Sequence, residues 1–341
     1  MRQTRIKMLK HEWPDSCSVC MHRVDADLES DIESWDEFFE KYPIEINVES
    51  GNSTKNPLFL EYRPGNECNL KCRMCSPHSS SQIEKEIKDN PEFPELVKFF
   101  GGVEPRQEDV YSHLYNFVNE VKVKHLRVLG GEPTLDKSVY AFLTHIVDTY
   151  DDLPKLYMTT NATNLNKKFQ NLLLKFNRNI KLRFSIDGTG STYEYIRTNA
   201  RWDISKNIVE NTLSKRIASS YAISVVLTPY NMFNMLELLD WIVELKKIEN
   251  KIQIHAVNSD SVKTSVAAIL PDDMSIYIAS IENWIAKNGT SLEGVEDMLS
   301  MLKSVKFDKK IYERFKRFNG VLDKIRNTRI VDIDERFARY T

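Results

Sequence analysis

Cysteine is absent from most of this chain: all five fall within the first 75 residues and none follows Cys75. A disulfide framework spanning the fold is therefore excluded, and the grouping Cys17-x-x-Cys20 and Cys68-x-x-x-Cys72-x-x-Cys75 favours metal or redox chemistry in a reducing compartment. Long apolar runs are also missing. No stretch reaches the roughly 18 residues of a membrane span, and the start Met1-Arg-Gln-Thr-Arg-Ile-Lys-Met-Leu-Lys10 lacks the apolar centre of a signal peptide, so no membrane partner is expected and the cytoplasm is the expected location. Charge of one sign is lacking too. The net charge of -2 gives no global attraction to nucleic acid or anionic lipid. No repeat of fixed period and no low-complexity tract interrupts a globular composition of 41% hydrophobic and 28% charged residues.

At 341 residues the chain is long enough for one large α/β domain with appendages. Residues 1–56 read as an N-terminal extension, with an acidic stretch from Asp25 to Glu49 in which Trp35, Phe38, Phe39 and Tyr42 recur at near-helical spacing. The turn-rich segment Glu49 to Pro57 marks a boundary. Beyond it, short apolar runs predict strands at Leu58–Arg63, His125–Leu129, Lys155–Thr160, Ile180–Ile186, Ala222–Thr228 and Ile252–Val257. Helical periodicity lies between them, at Ser79–Lys88, Ser138–Tyr150, Lys167–Phe176, Ile204–Arg216 and Met235–Lys247. Such alternation argues for a parallel sheet, flat or curved into a barrel, over residues 57–258. Residues 259–341 read as a helical C-terminal region, with helices at Asp272–Lys287, Leu292–Val305 and Lys309–Arg326 that cover an opening of the sheet. The basic, aromatic run Lys303–Arg326 is interspersed with Asp308, Glu313 and Asp323, so it reads as an amphipathic surface helix rather than an RNA-binding element.

The chemistry-bearing residues stand at the ends of the expected strands. Pro64-Gly-Asn-Glu-Cys-Asn-Leu-Lys-Cys-Arg-Met-Cys75 directly follows the first strand and offers three thiolates. Cubane iron-sulfur clusters take four cysteines, so a three-cysteine loop leaves one iron open to an external ligand. A zinc site is the alternative, with His78 close enough in sequence to be the fourth ligand. After the second strand, Gly130-Gly-Glu-Pro133 combines glycines that admit a close ligand with an acceptor, Glu132. Asn161 follows the third strand, and Ser185 and Asp187 end the fourth. Taken singly these are ordinary turn and cap residues; their recurrence on one face of a βα array favours a site.

In these motifs the chain resembles the radical S-adenosylmethionine (radical SAM) enzymes, over roughly Pro57 to Asn258. The resemblance implies a partial (β/α)6 TIM-like barrel in which Cys68, Cys72 and Cys75 hold a [4Fe-4S] cluster whose open iron binds SAM. It also implies that Glu132 and the backbone of Gly130 and Gly131 receive the SAM amino group. Ser185, Asp187 and Asn161 would face its ribose or carboxylate, Arg197 would pair with the carboxylate, and Val226 and Thr228 would approach the adenine. The residue before the third cysteine is commonly aromatic in that family; here it is Met74, whose thioether can still pack against a ring. The implied activity is reductive cleavage of SAM to a 5'-deoxyadenosyl radical that abstracts hydrogen from a substrate, with a flavodoxin or ferredoxin as electron donor. Cys17-Ser-Val-Cys20 resembles the extension of proteins with a twitch or SPASM-like module, whose relatives often act on peptides or proteins. An auxiliary cluster needs four thiolates, however, and only two cysteines remain, so an incomplete or remnant module is expected. A non-catalytic iron-sulfur or zinc protein serving electron transfer or scaffolding is the competing reading.

Overall fold

The computed structural model describes residues 57–101, 113–259, 261–289 and 292–341, together with isolated positions before residue 57. Residues 1–58 and 59–341 form separate compact units, and the second holds every element below. Cys17, Cys20 and most of the acidic stretch lie outside the described residues.

Six strands build one parallel sheet: β1 (Phe59–Tyr62), β3 (His125–Val128), β4 (Lys155–Thr160), β5 (Ile180–Ser185), β7 (Ser220–Leu227) and β8 (Ile252–Asn258). They pair in the order β1-β3-β4-β5-β7-β8, every pairing parallel, and among the described residues β1 and β8 do not pair with each other, so the sheet is an open, partial barrel. A further antiparallel pair, β2 (Lys71–Cys72) with β6 (Arg197–Thr198), joins two loops above it. The helices in chain order are α1 (Ser81–Asp89), α2 (Glu95–Phe100), α3 (Leu114–Val121), α4 (Lys137–Thr149), α5 (Lys167–Leu174), α6 (Gly190–Ile196), α7 (Trp202–Ser214), α8 (Met235–Lys246), α9 (Pro271–Asn288), α10 (Val295–Ser304) and α11 (Lys309–Arg326).

Strand periodicity sets the two faces of the sheet. Leu126, Val128, Leu156, Met158, Leu182, Phe184, Ile223 and Ile254 are buried in one core with Phe142, Leu143 and Ile146 of α4 and Leu172 and Leu173 of α5. The alternate positions are half-buried and include many polar side chains: Arg127, Tyr157, Thr159, Arg183, Ser185, Ser224 and His255. In register, Ser185 lies beside Ser224 and Ser224 beside His255. An ordinary TIM barrel fills this interior with branched apolar side chains; here much of the second face is polar. Helix starts follow side-chain chemistry, since Ser80, Asp136, Asn166 and Asp308 each accept a backbone N–H in the first turn of α1, α4, α5 and α11. A second, smaller core of Ile83, Leu96, Phe99, Phe100, Phe318 and Leu322 joins α1, α2 and α11, and Cys75 packs against it. Among the described residues no helix is long and apolar enough to cross a membrane.

Candidate functional site

The chain leaves β1 at the carboxyl end of the sheet, where the sites of βα barrels gather, and enters the cysteine loop. Asn66 folds that loop back on itself: its Nδ2 donates to the Pro77 carbonyl at 2.6 Å and to Glu84 Oε2 at 3.0 Å, and its own carbonyl accepts from Ser81 N at 2.8 Å. Ser81 Oγ lies 3.2 Å from both the amide and the carbonyl of Cys68, and Ser80 Oγ donates to the Leu70 carbonyl at 2.6 Å. Cys72 is then held as a strand residue opposite Arg197, and Arg73 N donates to the Ile196 carbonyl at 2.9 Å. The loop's polar backbone is thus largely met by its own neighbours, which leaves the sulfurs to be used.

All three cysteines are free thiols, Cys72 buried and the other two half-buried. Burial pushes the Cys68 thiol up to about 11 and Cys75 up to about 12, and raises Cys72 as well. Without a metal these sulfurs are therefore protonated, and binding one releases their protons. His78 is exposed, and among the described residues no group of three or more His, Cys, Asp and Glu stands where it could hold one metal ion. Zinc needs its ligands focused on a single point. A cubane instead takes each thiolate on a different iron, so this donor set fits a cluster better than a single ion.

Facing the cysteines is the turn after β3. Gly131 N donates to the Gly65 carbonyl at 3.1 Å and Glu132 N to the Glu67 carbonyl at 2.7 Å, which locks the glycine turn against the approach to Cys68. Gly130 has a φ of +134, a conformation that glycine alone adopts readily. Glu132 is buried, and its carboxylate staples two strand ends: Oε1 accepts from Thr134 N, Thr134 Oγ1 and Thr160 Oγ1, and Oε2 accepts from Asn161 N at 2.6 Å. Of its roughly four acceptor positions, the free capacity is thus at Oε2. Asn161 donates to Asn69 Oδ1 at 3.0 Å and approaches Cys68 Sγ at 3.9 Å, tying the end of β4 to the cysteine loop.

Asp187, fully buried, accepts from Val226 N at 2.7 Å and stands 2.7 Å from Arg197 Nε. Arg197 Nη1 in turn lies 3.7 Å from Cys72 Sγ. Burial opposes the charge of Arg197, but the Asp187 carboxylate beside it outweighs that and holds the guanidinium protonated. The sequence motif therefore brings Asp187, Val226 and Arg197 into one buried chain of contacts ending at a cysteine. Ser185 and Val226 are half-buried on the polar face, Met74 packs partly buried against the main core, and Thr228 is fully buried, its N–H donating to Asn231 Oδ1 at 3.2 Å.

Residues 62–242 match the profile of the Radical SAM superfamily. The chain belongs to the radical SAM superfamily. It is 28% identical over 114 residues to a GTP 3',8-cyclase of Campylobacter lari, a match that covers 33% of this chain and 30% of that one. Streptococcus suis SuiB, solved with its precursor peptide SuiA, superposes with a TM-score of 0.47 at 19% identity over 74% of this chain and 49% of SuiB. For anSMEcpe with bound AdoMet the TM-score is 0.48 at 16% identity, over 74% of this chain and 63% of that protein. The matches thus span about a third of the cyclase and half of SuiB. Membership implies SAM and an iron-sulfur cluster as cofactors of an enzyme.

Around the radical SAM motifs the structure adds residues that spacing did not single out. Arg73, between two of the cysteines, is fully buried. It donates to the Tyr195 carbonyl, Asn319, Asp323 at 2.6 Å and Thr328, and lies 3.6 Å from the centroid of the Tyr195 ring. Glu86 takes Lys71 on one side and Arg326 on the other, at 2.7 and 2.6 Å. The C-terminal helix α11 therefore grips the back of the cysteine loop. Its basic residues look like a solvated face in the sequence, yet Arg326 turns inward, to Glu86, 240 positions away, and to Thr198.

Proposed function

We propose that this protein reductively cleaves SAM at a [4Fe-4S] cluster held by Cys68, Cys72 and Cys75, and that the resulting 5'-deoxyadenosyl radical abstracts hydrogen from a substrate. The observation that carries this reading is the convergence of a self-satisfied three-thiol loop with the Gly130–Glu132 turn and the Asp187–Arg197 pair at one end of an open parallel sheet. When bound, the cluster supplies the electron that breaks the bond from sulfur to the 5' carbon of SAM. The chain's own task is to hold and orient. Gly130 and Gly131 admit close approach, Glu132 Oε2 and nearby backbone receive the SAM ammonium, and Ser185, Asn161 and Asp187 meet the ribose or carboxylate. Arg197, engaged by Asp187 on one edge, balances charge beside Cys72 and offers the remainder of its guanidinium to the SAM carboxylate. Met74, Val226 and Thr228 border the adenine. A one-electron protein such as a flavodoxin or ferredoxin in the cytoplasm supplies the electron. A peptide or protein is the substrate class that the resemblance implies.

The test is anaerobic reconstitution with iron and sulfide. Wild type is expected to bind about four irons per chain, change its paramagnetic resonance spectrum when SAM meets the reduced cluster, and release 5'-deoxyadenosine; Cys72→Ala should lose all three. Reduced wild type that leaves SAM intact, with no spectral response to it, defeats the reading. An iron content near twice that figure would revive an auxiliary cluster site in the N-terminal extension.

A further inference from the structure

Lys263 lies in the segment after β8 and is 3% exposed. Its Nζ donates to the Cys75 carbonyl at 3.1 Å and stands 3.9 Å from the centroid of the Phe100 ring and 5.4 Å from that of Phe318. The other buried cations beside the loop have carboxylates: Arg73 has Asp323, Arg197 has Asp187 and Arg326 has Glu86. Among the described residues no ion pair includes Lys263. Burial pulls its pKa down to about 7; a Cys75 thiolate would raise it, and the charges of Arg314 and Arg326 lower it further. A buried ammonium without a counter-charge is costly, and two aromatic faces recover only part of that cost. The arrangement makes physical sense if an anion comes to Cys75.

We propose that Lys263 is a positioning residue that supplies the counter-charge of the cluster at its Cys75 corner and so raises the cluster's reduction potential. This inference rests on the cluster assignment above. A thiolate-bound cluster gains one negative charge on reduction, so a fixed ammonium against the Cys75 carbonyl favours the reduced form over the oxidised one. Charge and hydrogen bonding near the sulfurs are among the means by which a protein sets such potentials. The competing role is mechanical: Lys263 could serve only to hold the post-β8 segment on the Cys75 backbone.

Full-length wild type, Lys263→Gln, Lys263→Met and Lys263→Arg are reconstituted, and the midpoint potential is measured by redox titration followed by paramagnetic resonance, alongside iron content and thermal melting. Glutamine keeps an N–H for the Cys75 carbonyl and removes the charge. We expect Lys263→Gln and Lys263→Met to keep their iron and to shift to more negative potential. A tenfold fall in the ratio of reduced to oxidised cluster at fixed poise corresponds to about 59 mV for one electron. Lys263→Arg should restore most of the wild-type value. The proposal is overturned if Lys263→Gln, with full iron, titrates at the wild-type potential, or if Lys263→Arg shifts as far as Lys263→Gln. Should Lys263→Met fail to fold, the glutamine and arginine variants decide the matter alone. A wild type that assembles no cluster counts against the cluster assignment, a different and recognisable failure.

Discussion

Gly131 has no room for a side chain. A Cβ built there would lie 2.2 Å from the Glu67 carbonyl oxygen and 2.5 Å from the Asn66 carbonyl carbon, backbone atoms that cannot swing away. Gly131→Ala should therefore push the Gly130–Glu132 turn off the cysteine loop and cost about 2 kcal/mol, the scale of overpacking a tight site. Thermal melting should report the loss and SAM titration of the reconstituted protein a weaker affinity; unchanged values in both would show that the turn can yield. The same turn shows what one residue can carry in sequence. Glu132 is legible as an acceptor beside two glycines, but nothing in its neighbours reveals that Thr134, Thr160 and Asn161 occupy most of its lone pairs.

At the scale of elements, strands and long helices declare themselves by period, and the six sheet strands fall within a few residues of their apolar runs. The short α2 and α6 do not, because six or seven residues hold too few turns to establish a period. The two-residue pair β2 with β6 exists only because tertiary contacts bring residues 71–72 to 197–198. The cysteine spacing was readable since its three residues lie within eight positions of one another. Arg73, Asn319, Asp323 and Lys263 were not, since their partners are about 120 to 250 positions distant or belong to another loop. The clamp between Arg73 and α11 gives a prediction at this scale. Arg73→Met should cost about 3 kcal/mol, because it leaves Asp323 with Tyr195 and Thr328 but without its cation. A second effect separates clamp from core: reconstituted Arg73→Met should lose iron faster to a chelator than wild type, whereas equal loss rates would confine Arg73 to stability.

For the whole molecule, acid tests the joint between α1 and α11. Burial raises the Glu86 carboxyl, but hydrogen bonds and charge from Arg326 and Lys71 outweigh it and hold its pKa below the ordinary carboxylate range. A carboxylate depressed in the folded state stabilises the fold above its unfolded pKa, and that contribution is lost as pH falls through the lower folded value. Melting of the metal-free protein should therefore fall between about pH 5 and pH 3, and Glu86→Gln should flatten that part of the curve while lowering stability at neutral pH. Identical slopes in the two proteins would remove Glu86 from the account.

The contact between Arg73 and residues 319–328 also sets an order of events during synthesis. The cysteines leave the ribosome long before α11 does, so for most of translation the Arg73 guanidinium has none of its α11 partners and the loop lacks its rear wall. The loop can gain its rear contacts only once residues 319–328 have emerged and α11 has packed. Closure of the cysteine loop is thus coupled to a segment made some 250 residues after it.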